Sequence, residues 1–598
     1  MGKTVQTVHA AVEQPVGARA NAAKFGSDVI AETLRDIDVR YVALNPGASF
    51  RGLHDSLVNY LGNDDPQMLL CLHEEHAVAI AHGYAKVTGK AMAAAVHSNV
   101  GLMHASMAIF NAWCDRMPVV VLGATGPVDA DKRRPWIDWI HTAADQGNLV
   151  RNFVKWDDQP ASAAAAREAV LRGSWIANNE PKGPVYINFD SEMQERALSE
   201  PLPEIAVGRF LTPMRSGVDG ETLADIAALV GKAKSPVMLV GRVSRDEEAW
   251  NRLVALVEAI GARVITDLKV ATAFPTGHPA YAGDLRGKNG ARTQAVLKQA
   301  DLVIALDWVD LKGALSGAFG PAGPACPIVR VGLDHTIHNG WTMDHQAHPP
   351  ADFVVAATPE AFVSALCERL SVSGSSQYEP ESQLPDVPPQ DGALSVEQIA
   401  LTLRRALGGS KACLTHVTLS WDGSLWPFEH PLDYLGSDGG GGIGAGPGHA
   451  VGAALALRDM GSDRIPIAIC GDGDFAMGVT ALWTAVHYNI PLLVVIANNR
   501  SFFNDEVHQE KVARMRGREV ANKWIGMRMS DPEIALAAMA AAQGCRGFGP
   551  VDALGALEDT LAEAIAEVRA GNVAVVEVIT DASYPASLVA ALTPEKSA

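Results

Sequence analysis

Two short polar motifs in the last third of the chain each follow an apolar segment. Gly471-Asp472-Gly473 comes directly after IPIAIC, and Asn498-Asn499 comes directly after PLLVVIA, with 24 residues between the two motifs. Carboxylate and amide oxygens, completed by phosphate oxygens, are ligands that Mg²⁺ prefers. A right-handed crossover through a helix, predicted over 475–487, would place the two strand ends side by side. The spacing therefore predicts a magnesium–diphosphate site with Asp472 and Asn499 as metal ligands.

A glycine-rich stretch, GSDGGGGIGAGPGHAVG, lies shortly before these motifs. Glycines let a backbone approach phosphate closely, and the N-terminus of a helix attracts an anion. Apolar Ile443 interrupts the glycines, and a helix of small residues is predicted to follow them. These two features favour a structured loop over a flexible linker.

The interval between the two polar motifs resembles the signature of enzymes that use thiamine diphosphate. The segment GDGDFAMGVTALWTAVHYNIPLLVVIANNRSF is particularly similar to the same region of benzoylformate decarboxylases. In the first third of the chain, His73-Glu74 followed by Gly83-Tyr84-Ala85 is similar to the helix that carries the family's glutamate. His97-Ser98, with Asn111-Ala112-Trp113 downstream, resembles the region of the catalytic histidine. The resemblance thus covers both end domains of the chain. The family includes acetolactate synthases and pyruvate oxidases, and the motifs here are closest to benzoylformate decarboxylase.

The resemblance implies catalytic roles for residues of the first third. Glu74 would contact the aminopyrimidine ring of the cofactor, in a site that the apolar flanks of MLLCLHEEHAVAIA partly desolvate. His97 would transfer protons to substrate-derived intermediates, since histidine titrates near neutral pH. His73 and His76 flank Glu74 and are further catalytic candidates. One departure is that the family's serine directly after Asn-Pro-Gly is Ala48 here, with Ser49 one place later.

The resemblance also implies how the cofactor is held. Ile443 would separate its two rings, and the carbonyl of Gly441 would accept a hydrogen bond from its amino group. The backbone carbonyl of Ser501 would be a third magnesium ligand. The other predicted cofactor contacts are Asn45, Gly47, Thr418, Ser420, Gly442, Gly471, Gly473, Asp474 and Phe503. His416 is predicted either to neighbour the cofactor or to lie on a loop surface.

The activity implied is that of a lyase dependent on thiamine diphosphate and Mg²⁺. It would decarboxylate a 2-oxo acid, such as benzoylformate, without oxidation and through a C2-carbanion/enamine intermediate. The alternatives are a carboligase of the acetolactate synthase type that uses an aldehyde or second 2-oxo acid, a 2-hydroxyacyl-CoA lyase, and a non-catalytic binding protein. An oxidase relative would hold FAD in the central domain, but no motif here supports FAD. The family further implies a homodimer or homotetramer with active sites between subunits.

Three segments of similar length must position these residues. Each alternates short apolar strands with helices, which indicates parallel sheets covered by helices on both faces. The predicted fold class is α/β, with three Rossmann-like or flavodoxin-like domains, and ligands of such sheets bind at the carboxyl ends of the strands. The predicted organisation is a tail at 1–20, a pyrimidine-binding domain at 21–195, a central domain at 218–370, a linker at 371–394 and a diphosphate-binding domain at 395–598.

Composition excludes several other classes of protein. The chain has 598 residues, 48% of them hydrophobic, and a formal charge of −19. Such an acidic chain is a poor partner for nucleic acid or anionic membranes, which bind clustered Lys and Arg. No apolar run reaches the ~20 residues of a membrane span. Seven scattered cysteines without a CxxC pair are typical of a reduced, cytoplasmic protein.

Overall fold

The computed structural model of the chain describes residues 13–17, 19–285, 290–336, 348–372, 378 and 386–582. Parts of the predicted tail at 1–20 and of the predicted linker at 371–394 lie outside these residues. Within them the chain forms three parallel sheets, each flanked by helices. The predicted α/β fold class is therefore confirmed.

The first sheet is built from residues 41–190. Its strands are β1 (Tyr41–Leu44), β2 (Gln67–Leu70), β3 (Met92–Val96), β4 (Val119–Thr125), β5 (Asp157–Asp158) and β6 (Val185–Asp190), and its helices are α1 (Gly26–Asp36), α2 (Arg51–Asp55), α3 (Glu74–Thr88), α4 (Ser98–Asp115), α5 (Ile137–Ile140), α6 (Ala163–Asn178) and α7 (Ser191–Glu195). The strand order is β2-β1-β3-β4-β6-β5. Strand β4 is buried along its whole length because helices cover both faces of the sheet.

The second sheet is built from residues 236–355. Its strands are β7 (Pro236–Val240), β8 (Arg263–Thr266), β9 (Tyr281–Asp284), β10 (Leu302–Leu306), β11 (Ile328–Val331) and β12 (Phe353–Val355), and its helices are α8 (Gly220–Lys232), α9 (Glu247–Ile260), α10 (Gly290–Lys298), α11 (Leu311–Phe319) and α12 (Pro359–Arg369). The strand order is β12-β11-β10-β7-β8-β9. Two separate apolar cores cover its two faces.

The third sheet is built from residues 412–579. Its strands are β13 (Ala412–His416), β14 (Ile465–Gly471), β15 (Leu492–Asn498), β16 (Arg546–Val551) and β17 (Val573–Ile579), and its helices are α13 (Val396–Leu407), α14 (Gly446–Asp459), α15 (Asp472–Gly478), α16 (Ala481–His487), α17 (Phe503–Met515), α18 (Leu536–Ala542) and α19 (Leu554–Arg569). The strand order is β13-β14-β15-β17-β16.

The connection between β14 and β15 corrects one prediction. A single crossover helix over 475–487 is wrong, because the chain forms α15 and α16 with a break at Val479 and Thr480. Helix α15 also begins earlier, at Asp472, directly after β14. The outcome for the strands is nevertheless the predicted one, since β14 and β15 are parallel neighbours with Gly471 opposite Ala497.

The first and third sheets share one apolar core, which α3 and α14 join. The two helices approach each other at glycines. A Cβ on Gly452 would lie 1.9 Å from the carbonyl oxygen of Ile80, and one on Gly83 would lie 2.1 Å from that of His449. Only glycine permits this backbone contact, which holds the start of α3 against the third sheet. None of the described helices has the length and apolar character to span a membrane.

Candidate active site

A cavity of about 740 Å³ lies at the carboxyl ends of β13, β14 and β15. This is the edge of a parallel sheet at which ligands bind. The lining includes most of the residues predicted to hold the cofactor or metal in the third domain: Thr418, Ser420, Gly441, Ile443, Gly471, Asp472, Gly473, Asp474, Asn499, Ser501 and Phe503. Gly442 does not line it and packs against Met107 of α4 instead.

The predicted metal ligands converge on one backbone amide. The N–H of Ser501 donates to Oδ2 of Asp472 at 3.1 Å and to Oδ1 of Asn499 at 2.9 Å. Asp472 is buried, and burial raises its pKa although backbone N–H groups of Gly473 and Ser501 oppose that shift. Among the described residues no lysine or arginine forms an ion pair with it. A buried carboxylate without a cationic partner, beside an amide oxygen, fits a hard divalent cation.

The glycine-rich loop before α14 rests on the first domain. The N–H of Gly440 donates to Oδ1 of Asn111 at 3.0 Å, and Gly442 packs on Met107, so α4 supports the loop from below. Gly441 has φ +75°, a left-handed conformation that favours glycine. Ile443 lines the cavity with 40% of its surface exposed, as a side chain that contacts a bound ligand would be.

His416 and Asp474 form a buried pair inside this cavity. Nε2 of His416, at the end of β13, lies 3.2 Å from Oδ2 of Asp474 in the first turn of α15. Burial by itself would lower the pKa of His416, but the facing carboxylate of Asp474 outweighs it and raises that pKa. His416 therefore neighbours the cavity and is not a surface residue, which decides between the two alternatives that the sequence left open.

Glu74 is the first residue of α3 and is 7% exposed. Its Oε2 is 3.0 Å from Nδ1 of His104, a residue of α4 that sequence reasoning missed. Gly101 leaves room for the glutamate, because a Cβ there would approach Glu74 to 3.1 Å. The predicted partly desolvated surroundings of Glu74 are thus present, with one polar neighbour in addition.

The two histidines that flank Glu74 have contacts of their own. Nδ1 of His73 accepts the N–H of Glu75 and caps α3, and its ring stacks on His104 with 5.0 Å between ring centroids. Nε2 of His76 lies 2.8 Å from Oγ1 of Thr480, at the break between α15 and α16. Burial lowers the pKa of His76 to about 4. Both histidines therefore help to fix the start of α3.

His97 lies at the end of β3, where the chain turns sharply into α4. Its neighbour Ser98 has φ +44°, a strained conformation typical of functional sites. The ring packs directly over Gly47, where a Cβ would lie 2.2 Å from it. Asn45 joins the same loop to the next strand by donating to the carbonyl of Cys71 at 3.0 Å. The Asn-Pro-Gly loop and His97 therefore lie together.

Two further side chains contact His97. Oγ of Ser49, the serine one place later than in the family pattern, is 2.9 Å from Nδ1 of His97. The ring of His141 meets that of His97 edge to face, with 4.7 Å between centroids. Partial burial and the neighbouring His141 lower the pKa of His97. Sequence reasoning missed His141, because it lies in an irregular segment without a motif.

Neither Glu74 nor His97 lines the cavity around Asp472 within one chain. A second cavity, of about 500 Å³, lies at the carboxyl ends of β7, β10 and β11. There Arg242 pairs with Asp307 and Asp334, and Arg116 also pairs with Asp334. Among the described residues that line this cavity, no contact identifies a flavin or a nucleotide.

Comparison with known families agrees with the fold. The N-terminal TPP (thiamine pyrophosphate) binding domain of thiamine pyrophosphate enzymes matches residues 25–149, their central domain matches residues 223–335, and their C-terminal TPP binding domain matches residues 418–578. The chain therefore belongs to the thiamine pyrophosphate enzymes. Thiamine pyrophosphate is another name for thiamine diphosphate.

Several individual proteins are similar over most of the chain. Acetolactate synthase isozyme 3 large subunit of Escherichia coli is 24% identical over 79% of this chain and 82% of its own length. Benzoylformate decarboxylase of Pseudomonas aeruginosa is 25% identical over 73% of this chain and 80% of its own length. The solved 4-hydroxybenzoylformate decarboxylase of Rhodococcus jostii has the same fold, with a TM-score of 0.75 at 22% identity over 94% of this chain and 99% of its own.

Proposed function

We propose that this enzyme is a Mg²⁺-dependent lyase that decarboxylates a 2-oxo acid and releases an aldehyde. The observation that carries the proposal is the environment of His97. A half-buried imidazole lies in the same domain as Glu74, held between Ser49 and His141. Such a histidine can supply the proton that turns a decarboxylated intermediate into a free aldehyde. In a carboligase a second carbonyl compound takes the place of the proton at that carbon, and the proton is needed only at the acceptor's oxygen.

The cofactor and metal fit the residues of the third domain. Asp472, Asn499 and the carbonyl of Ser501 would hold Mg²⁺. Backbone at Gly471 and Gly473, with Thr418 and Ser420, would hold the diphosphate, and Ile443 and Gly441 the rings. Phe503 begins α17 beside the metal ligands and would narrow the cavity. When bound, thiamine diphosphate supplies a carbanion stabiliser.

The protein's own part in proton transfer follows from the hydrogen bonds of His97. The backbone N–H of Ser49 donates to Nδ1 of His97 at 3.4 Å. A nitrogen that accepts this bond carries no proton, so the neutral ring carries its proton on Nε2. Nε2–H is then the donor of the neutral ring, and it gives up its proton once the ring takes up a second proton at Nδ1, whose N–H the Oγ of Ser49, 2.9 Å away, can accept. Glu74, buried beside His104, would hold the aminopyrimidine.

A complete site would need a second copy of the chain. The cavity with the metal ligands and the Glu74–His97 group do not meet in one chain, although each carries part of the predicted chemistry. We therefore include in the proposal a homodimer, alone or paired into a tetramer, in which Glu74 of one subunit faces the cavity of its partner. The sequence's prediction of a cytoplasmic location stays a prediction.

To test the proposal, the purified protein is incubated with Mg²⁺, thiamine diphosphate and one 2-oxo acid at a time. The panel of acids includes benzoylformate and pyruvate. Release of CO₂ and of the matching aldehyde is expected for at least one of them. His97→Ala should bind cofactor normally but release aldehyde about 100-fold more slowly, the lower range for loss of a general acid. His54→Ala changes an exposed histidine of the same domain and is the control. No CO₂ from any acid would refute the proposal.

A carboligase is the second candidate, because acetolactate synthases are among the relatives. It differs in the last step, where a second 2-oxo acid or aldehyde takes the place of the proton. Adding an acceptor and identifying the products separates the two functions. A coupled product in place of free aldehyde, with His97→Ala unaffected, would favour the carboligase. Adding a 2-hydroxyacyl-CoA to the same set of substrates tests the 2-hydroxyacyl-CoA lyase alternative.

A further inference from the structure

The conformation of the glycine-rich loop needs a support that glycine itself cannot provide. Gly441 and Gly444 have φ of +75° and +101°, and neither has a side chain to pack. The loop amides instead bind one carboxylate. Oδ1 of Asp474 accepts the N–H of Gly444 at 2.6 Å and that of Gly446 at 3.4 Å. These bonds lie on both sides of Ala445 and directly after Ile443, so Asp474 determines where Ile443 enters the cavity.

The second oxygen of Asp474 faces the ring of His416 at ion-pair distance. The two side chains are 8% and 6% exposed, and their 3.2 Å contact joins α15 to the end of β13. The fit around them is close, because a Cβ on Gly446 would lie 2.3 Å from Oδ2 of Asp474 and 3.0 Å from the ring of His416. A buried carboxylate that accepts from two amides and faces an imidazole at this distance is restrained in position.

The same pair shapes the charge of the cavity. Asp472 and Asp474 both line it, and Asp438, Glu75 and Lys86 lie within electrostatic reach of the pair. Among the described residues, the basic side chains of the lining are His416 and Lys269. An uncompensated carboxylate at Asp474 would repel a bound diphosphate. Nε2 of His416 lies 3.2 Å from that carboxylate, where a ring N–H offsets its negative potential.

We propose that Asp474 and His416 are positioning residues that hold the glycine-rich loop and its Ile443 in the cavity, and that His416 keeps the carboxylate of Asp474 from repelling the diphosphate. The second half of this proposal rests on the proposed cofactor. The first half concerns the protein alone and is tested without any ligand.

The first experiment measures amide hydrogen exchange of the segment 439–447 in the protein without cofactor. Asp474→Ala removes the acceptor of Gly444, and exchange in this segment should become about tenfold faster. His416→Ala should have a similar effect, because Asp474 loses the contact that fixes it. Asp474→Asn keeps an acceptor oxygen without the charge and should lie between wild type and Asp474→Ala. Unchanged exchange in both alanine variants would overturn the positioning role.

The second experiment measures the affinity for thiamine diphosphate with Mg²⁺ by calorimetry. His416→Ala leaves a bare carboxylate in the cavity and should weaken binding by more than about tenfold, the scale of an unpaired buried charge. The double variant His416→Ala/Asp474→Ala removes that carboxylate and should bind more tightly than His416→Ala alone. If the two substitutions acted only by leaving empty space in the structure, the double variant would bind more weakly than His416→Ala alone. That result would overturn the electrostatic role.

The matched control is His278→Ala. His278 is another buried histidine with a carboxylate partner, 3.1 Å from Glu258, in the central domain and outside the cavity. It should change neither the exchange of the segment 439–447 nor the affinity for the cofactor, and an effect as large as that of His416→Ala would overturn the proposal. If the wild-type protein bound no thiamine diphosphate, the proposed function would fail, whereas the exchange measurement would still decide the positioning role.

Discussion

The contact between α3 and α14 allows one substitution to be predicted from geometry alone. Gly452→Ala adds a Cβ that would lie 1.9 Å from the carbonyl oxygen of Ile80 and 2.8 Å from the amide nitrogen of Tyr84. Both neighbours are backbone atoms of a helix, so no side chain can rotate away. Because real Cβ contacts stay beyond about 3 Å, the two helices must separate by roughly 1 Å along the core that joins the first and third domains.

The size of the effect follows from two opposing contributions. Overpacking of this kind costs about 1–3 kcal/mol or more. Alanine recovers up to about 1 kcal/mol of helix propensity. Because the contacted atoms are backbone, the upper end of the overpacking range applies, and the net loss is roughly 2 kcal/mol. It should lower the midpoint of thermal unfolding by about 4–8 °C, at the 2–4 °C per kcal/mol of domains of this size. Differential scanning calorimetry measures this midpoint directly.

Gly231→Ala is the matched control for this prediction. Gly231 also lies in a helix, α8, but a Cβ there meets no atom within 4 Å. Only the propensity gain remains, so the variant should be as stable as the wild type or slightly more stable. If Gly452→Ala matched Gly231→Ala, the close backbone contact between α3 and α14 would be refuted.

Three further substitutions test the site. Asp472→Asn should weaken Mg²⁺-dependent cofactor binding at least tenfold, roughly the value of one charged ligand, and calorimetry with and without Mg²⁺ measures it. Ser49→Ala removes a hydrogen bond worth about 1 kcal/mol from His97 and should lower kcat about fivefold with little change in KM, as steady-state kinetics would show. His76 has a pKa of about 4 when folded and about 6.5 when unfolded. Between these values only the unfolded state binds the proton, so stability falls as pH drops from 6.5 to 4, by roughly 3 kcal/mol in total. His76→Gln should lose less stability over that range in unfolding scans at several pH values.

The strands, and the polar residues that end them, could be predicted from the sequence. Segments such as PLLVVIA are apolar without interruption, because both faces of the third sheet are covered. The polar residues that end such segments had to lie at one edge, and Asp472 and Asn499 do share the amide of Ser501. The exact bounds of the three domains stay a prediction. The crossover was predicted as one helix because its composition gives no sign of the break at Thr480.

The contacts that shape the site were not predictable in the same way. His104 beside Glu74, His141 beside His97, and His416 beside Asp474 each join residues that are distant in the sequence. A lone histidine carries no periodicity or spacing from which its partner could be inferred. Only the packing of one element against another decides which carboxylate or ring it meets.

The sequence by itself determined the class of fold and the residues that end its central strands, because burial on both faces selects apolar strands and glycine, Asp and Asn mark their ends. Tertiary structure alone decided two things. It determined the partner of each histidine, and it separated the Glu74–His97 group from the metal-ligand cavity within one chain. The physical reason is that burial pattern is a local property of a segment, whereas charge pairing and the completeness of a site depend on which surfaces the folded chain brings together.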